Sequence, residues 1–191
     1  MVSAARGRHI DTAHLYLNHE PIGKGIANAI NKGIPRNEIF LTTKIYPTLF
    51  GYESTREVVL SSLKELNQEY LDMVLLYAPS RMLPGPNAAG YKGLTNKECR
   101  QETWRVLSDL RNEGNIRNAG VSNFIVRHLE DILELYDDDN ASSSAIAPIS
   151  NNQIPWNPWA PMEYVETVEF CKSFPMGFSN FAAFLVTNFH F

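Results

Sequence analysis

A parallel α/β fold is what this 191-residue sequence predicts. Two observations carry the prediction. Short apolar runs alternate along the chain with stretches of helical periodicity, and several of those runs are continuously apolar, as strands covered on both faces are. Strand then helix, repeated, builds right-handed βαβ units on a parallel sheet.

The strands are expected over Arg8 to Thr12, Ile39 to Lys44, Leu71 to Tyr77, Ile116 to Ser122 and Ile149 to Ile154. The helix after the first strand carries Ile22, Ile26, Ala29 and Ile30 on one face. Gly33 stands where a left-handed C′ residue closes a helix, with Pro35 just beyond. Ser54-Thr55-Arg56-Glu57 has the spacing of a capping box and opens the second helix, whose face is Val58, Val59, Ser62, Leu63 and Leu66. Trp104, Leu107 and Leu110, ahead of Gly114, mark the third helix, and Val126, Leu129, Ile132, Leu133 and Tyr136 mark the fourth. Two segments break the rhythm: a Pro- and Gly-bearing loop from Arg81 to Thr95, and an acidic, Ser-rich loop from Asp137 to Ser144.

Hydrophobic and charged fractions of 44% and 20% are those of an ordinary globular chain, not a disordered one. A net charge of -4 gives no electrostatic attraction to nucleic acid or to an anionic membrane, which leaves small-molecule chemistry as the expected role. Cys99 and Cys171 are too few and too distant in sequence for a disulfide framework or a metal knuckle, which fits a reducing compartment. The N-terminal residues run into polar sequence without a long apolar segment, and no stretch has the ~20 apolar residues of a membrane span, so a cytoplasmic protein is expected.

The chemistry-bearing residues lie at strand ends. His9-Ile10-Asp11-Thr12-Ala13-His14-Leu15-Tyr16 places Asp11 near the end of the first strand and Tyr16 just beyond it, and Phe40-Leu41-Thr42-Thr43-Lys44 places Lys44 at the end of the second. A phenol is too weak an acid at neutral pH to give up a proton unless an ammonium stabilises its anion, and a carboxylate keeps a desolvated Lys charged. Taken singly, Asp11 reads equally well as a turn cap, Tyr16 as a half-buried helix residue and Lys44 as a solvated strand end. Gly120-Val121-Ser122-Asn123-Phe124 follows the fourth strand pattern, and Asn152-Gln153-Ile154 ends the fifth. Gly23-Lys24-Gly25 lacks the third Gly of a dinucleotide fingerprint and does not join a strand to a helix. His14, His19 and Glu20 lack the i, i+4 spacing of a helical zinc site, so no metal is expected.

Together these motifs, with Leu41-Thr42-Thr43-Lys44 and Tyr70-Leu71-Asp72, occur in the order seen in aldo-keto reductases, and residues 4 to 173 resemble that family. The resemblance implies an incomplete (β/α)8 barrel, the five strands standing as its second to sixth, with the site at their C-terminal ends. It implies NADPH as cofactor and an aldehyde or ketone as substrate. By the same resemblance Tyr16 is the proton donor, Lys44 lowers its pKa and Asp11 holds Lys44. Ser122, Asn123 and Gln153 hold the nicotinamide carboxamide, a task suited to side chains that both donate and accept. Tyr46, Trp156 and Trp159 are candidates for pocket walls.

Three departures from the family pattern stand out. Where the family carries a pocket His, this chain has Tyr77, which is expected to line the substrate site. The chain begins a few residues before His9, so the first barrel strand is expected to be missing. After Ser173 comes an apolar tail, residues 174–191, in which nothing resembles the segment that holds the cofactor phosphates. Two functions follow: an NAD(P)H-dependent carbonyl reductase, or a non-catalytic remnant that has lost the phosphate site.

Overall fold

Six parallel strands form one sheet in chain order, β1 (His9–Asp11), β2 (Phe40–Ile45), β3 (Leu71–Leu76), β4 (Ile116–Ser122), β5 (Ile149–Ile154) and β6 (Gly177–Asn180). Helices α1 (His19–Asn31), α2 (Tyr52–Leu66), α3 (Asn96–Asn112), α4 (Val126–Leu133) and α5 (Met162–Ser173) lie between them. The computed structural model describes residues 7–80, 94–136, 146–174 and 176–180. The Asp137–Ser144 loop and most of the Arg81–Thr95 loop lie outside those residues. All five expected strands form, and the structure adds β6, which pairs with β5 from Asn151↔Gly177 to Ile154↔Asn180. Its sequence, Gly-Phe-Ser-Asn, offers too short an apolar run to mark a strand.

The sheet is curled. Gln153 Nε2 on β5 reaches Asp11 Oδ2 on β1 at 3.0 Å, whereas four strand spacings in a flat sheet would separate those strands by about 19 Å. Parallel strands that curve so far, with helices on the outside, are the incomplete (β/α)8 barrel that the sequence predicts. The core lies between sheet and helices, where Ile26, Leu41, Val74, Leu76, Leu107, Val121 and Leu129 are buried. Trp104 is fully buried and still satisfies its indole N–H, which donates to Ala147 O at 3.0 Å.

Two glycines set distances between elements. A Cβ on Gly23 would sit 2.5 Å from Leu66 O, so the middle of α1 touches the end of α2 only because the side chain is absent. A Cβ on Gly120 would sit 2.6 Å from Asn151 O and 2.7 Å from Leu75 Cδ2, which fixes how closely β4 and β5 run just before the site.

Helix caps show one agreement and one correction. Gly33 has φ 91° beyond α1, and its N–H donates to Ile30 O, as a C′ residue does. The Ser54-x-x-Glu57 pattern is not a capping box: α2 begins at Tyr52 after Gly51, and Ser54 Oγ donates back to Phe50 O at 3.2 Å. Gly51 at φ 120° makes the turn, so the helix starts one turn earlier. The capping box sits instead at Thr95 and Glu98, where Glu98 N donates to Thr95 Oγ1 and Thr95 N donates to Glu98 Oε2.

At the N-terminal ends of the strands, buried Asp72 accepts from Arg36 Nη1 at 2.8 Å and from Leu41 N at 3.1 Å, joining β2 to β3. Arg36 and Arg117 stack on Tyr70 with centroid distances of 4.2 and 3.8 Å. That end of the sheet is a brace, which gives Tyr70 and Asp72 a structural role.

Candidate active site

Side chains alternate across a strand, and on β2 this separates two neighbours. Thr43 faces the helices, where its Oγ1 meets the Nε2 of buried His19 at 3.0 Å. Lys44 faces the interior of the curl and is 5% exposed. Its ammonium donates to Asp11 Oδ1 at 2.5 Å and to Thr12 O at 3.1 Å. β1 and β2 pair in register from His9↔Phe40 to Asp11↔Thr42, so these partners meet at the C-terminal ends of the strands.

Tyr16 lies in a 3-10 turn, His14–Tyr16, between β1 and α1. It is 47% exposed, and Lys44 Nζ lies 5.7 Å from its ring centroid. Its ring meets that of Tyr77 edge-on with centroids 6.4 Å apart, and Tyr46 meets Tyr77 at 5.5 Å. The expectation that Lys44 lowers the Tyr16 pKa is not met. Partial burial pushes the phenol well above the ordinary tyrosine range, with a hydrogen bond to Tyr77 and the charge of Asp11 acting in the same direction. The reason is geometric: Lys44 spends its donors on Asp11 and Thr12 and stands over the ring instead of bonding the hydroxyl.

On the far side of the curl, Ser122 and Gln153 are register partners on β4 and β5. Ser122 Oγ donates to Gln153 O at 2.9 Å, and Asn123 Nδ2 donates to Tyr77 O at 2.8 Å and to Ser122 Oγ at 3.2 Å. Asn123 takes φ 60°, a left-handed conformation that Asn tolerates better than most residues. Its turn brings Ser122, Asn123 and Tyr77 together where β3, β4 and β5 end.

Asp11, Tyr16, Lys44, Tyr77, Ser122, Asn123 and Gln153 are thus drawn to one end of the sheet. Trp159 is not enclosed; it is 87% exposed. The sequence does not reveal that Thr12 O is a Lys44 partner, because a backbone acceptor carries no residue-type signal. Nor does it reveal the Gln153–Asp11 bond, which depends on the curl. Among the described residues no group of three or more His, Cys, Asp or Glu is placed to hold a metal ion. No described helix is long and apolar enough to cross a membrane.

A chain with this barrel segment and this set of strand-end residues matches the Aldo/keto reductase family model over residues 1–186. The protein belongs to the aldo-keto reductase family. It is similar to human aldo-keto reductase family 1 member C4, with 33% identity over 171 residues, covering 87% of this chain and 50% of the relative. Glyoxal reductase of Bacillus subtilis is 34% identical over 165 residues, covering 86% and 49%. Among solved structures, the aldo-keto reductase of Bombyx mori in complex with NADP matches at 30% identity and TM-score 0.71, covering 92% of this chain and 52% of that one. An aldo-keto reductase from a deep-sea metagenome library matches at 30% and 0.70, covering 94% and 56%. The chain spans about half the length of the curated relatives it matches.

Proposed function

We propose that this protein reduces the carbonyl of a small aldehyde or ketone with NADPH, Tyr16 giving the proton to the carbonyl oxygen. The observation that carries the reading is the Asp11–Lys44 pair, 2.5 Å apart at the strand ends, with its ammonium beside the Tyr16 ring. An ion pair placed only for stability has no need of a half-exposed phenol at its mouth.

The residues present suit the cofactor. Ser122, Asn123 and Gln153 bring a hydroxyl and two amides to neighbouring strand ends, and a carboxamide asks for both donors and acceptors. The bonds these side chains make to one another, to the Gln153 carbonyl and to Asp11 are ones a carboxamide can replace in kind. A reduced nicotinamide, when bound, supplies the hydride.

Tyr16 holds its proton throughout the neutral range, as a general acid must before the reaction. When the carbonyl oxygen becomes an alkoxide it is a stronger base than a phenolate, so even a phenol of raised pKa gives up its proton then. Lys44, paired with Asp11 at 5% exposure, lies over the Tyr16 ring with its ammonium 5.7 Å from the centroid. Tyr77, whose ring meets that of Tyr16 edge-on, donates a second hydrogen bond to the same oxygen in this reading. A cysteine count of two fits a cytoplasmic, reducing setting.

The test is NADPH oxidation at millimolar cofactor against a panel of small aldehydes and ketones. The wild-type chain turns over, and Tyr16→Phe loses about 10²–10⁴-fold, the usual contribution of a positioned acid. Equal turnover by the two proteins refutes Tyr16 as the donor.

A further inference from the structure

Core packing does little to hold the turn that presents Tyr16: none of its three residues, His14–Tyr16, is buried, and Leu17 just beyond is 87% exposed. Hydrogen bonds hold it instead. Within the turn, Tyr16 N donates to Ala13 O at 3.0 Å and Leu17 N to His14 O at 3.3 Å, with Leu17 at φ 51°. Across its base, Thr12 Oγ1 donates to Asn18 Oδ1 at 2.6 Å. Both ends of that bond are anchored. Thr12 is fully buried, its N–H donates to Thr42 O at 2.9 Å, and its carbonyl accepts from Lys44 Nζ at 3.1 Å. Asn18 leads into α1, where Ile22 N donates to Asn18 O at 3.1 Å. Asn18 stands at the N-cap of that helix, a place where an Asn side chain ordinarily accepts from a backbone N–H of the first turn. It makes no such bond; its oxygen is turned to Thr12.

We infer that Thr12 and Asn18 are a positioning pair for Tyr16: their side-chain bond closes the loop that carries the phenol and ties it to the residue whose carbonyl holds Lys44. This deepens the proposed function and rests on it. A proton donor is effective only where it is held against the reacting oxygen, and a small misplacement is costly. Through Thr12 the loop that carries Tyr16 and the ammonium of Lys44 share one buried anchor. Without the clamp, Tyr16 rests on short turn bonds and edge-on ring contacts. Helix capping does not account for Asn18, since its side chain leaves the N–H groups of α1 alone.

Asn18→Ser separates clamp from cap: Ser caps a helix about as well as Asn, but its oxygen sits one bond nearer the backbone and falls short of Thr12. Thr12→Val removes the hydroxyl and keeps the branched shape. With 3-fluorotyrosine at every Tyr, the Tyr16 fluorine resonance is the one that Tyr16→Phe deletes. In Asn18→Ser and in Thr12→Val it moves toward its position in the urea-unfolded chain, while the other fluorotyrosine resonances stay. In Asn18→Asp, which keeps an oxygen for Thr12, it stays near its wild-type position. A Tyr16 resonance that Asn18→Ser and Thr12→Val leave in place overturns the inference, and so does one that moves as far in Asn18→Asp as in Asn18→Ser. Resonances that all move together overturn it too, because the pair then supports the whole fold and not Tyr16. Turnover gives the second readout: kcat falls by about 10–10²-fold in Asn18→Ser with KM for NADPH unchanged, and an unchanged kcat overturns the inference. If the wild type reduces no carbonyl, the proposed function falls, and the fluorine resonance still decides whether Thr12 and Asn18 hold Tyr16.

Discussion

Asp11 divides its carboxylate between two distant strands, Oδ1 accepting from Lys44 on β2 at 2.5 Å and Oδ2 from Gln153 on β5 at 3.0 Å. One side chain thus closes the curl of the sheet and pairs with a buried ammonium. Removing either member of such a pair leaves the other unpaired, which costs more than removing both. Asp11→Asn and Lys44→Met are each expected to destabilise by about 1–3 kcal/mol, less than a fully buried pair because the Asp11 side chain is 33% exposed. The double variant should lose less than the sum. Urea unfolding of the four proteins checks this, and additive losses would show that the pair contributes no coupling.

Close approach of β4 and β5 makes a second prediction. Gly120→Ala puts a Cβ 2.6 Å from Asn151 O, a backbone atom that cannot swing away. Overpacking of this kind costs about 1–3 kcal/mol, and here it also spreads Ser122 from its partner Gln153. Gly25 is the contrast: it lies exposed within α1, and a Cβ there would meet nothing within 4 Å, so Gly25→Ala should stabilise by up to about 1 kcal/mol through helix propensity. Thermal melts that rank the two variants the other way would refute the packing argument.

The pattern of strands was legible because each buried strand is a short apolar run that needs no knowledge of its neighbours. Leu71–Leu76 is buried at every position and reads so directly. Caps were harder. Ser54-x-x-Glu57 and Thr95-x-x-Glu98 both fit the capping-box pattern, and what separates them is Gly51, whose positive φ starts α2 early. That Asp11, Tyr16 and Lys44 gather at one end of the sheet was legible, since Asp11 and Lys44 stand near strand ends and Tyr16 comes shortly after β1. The electrostatics were not. Whether Lys44 bonds the Tyr16 hydroxyl or the Thr12 carbonyl depends on a few ångströms of loop placement, and residue order carries no record of that.

Histidine sets an acid limit on stability. His128 on α4 has its pKa lowered to about 4, chiefly by burial and then by Arg100 and Arg127, with Asp131 opposing. The unfolded chain binds a proton near pH 6.5 that the folded chain refuses until about pH 4. Stability present above pH ~6.5 is therefore lost as pH falls toward about 4. His19, buried between Glu65 and Thr43, is lowered too and adds to the same trend. Melting temperature measured across this range should fall more steeply in the wild type than in His128→Gln. Parallel curves would assign the acid limit to other groups.

Cofactor affinity is the sharpest prediction. At the proposed carboxamide site each donor atom is already engaged: Ser122 Oγ with Gln153 O, Asn123 Nδ2 with Tyr77 O, Gln153 Nε2 with Asp11. Binding there exchanges hydrogen bonds for others of the same kind and so yields little net free energy. A dinucleotide draws much of its affinity from its phosphates, through charge-assisted bonds worth about 1.5–3 kcal/mol each. The sequence holds no Lys or Arg after Lys172. A chain that lacks several such bonds binds about three orders of magnitude or more weaker. Micromolar NADPH should therefore neither quench the fluorescence of Trp104, Trp156 and Trp159 nor raise the melting temperature of the 191-residue chain. Saturable quenching with a Kd at or below ~10 μM, on the scale where 1 μM corresponds to about -8.2 kcal/mol, would mean that cationic residues before Ser173 already grip the phosphates.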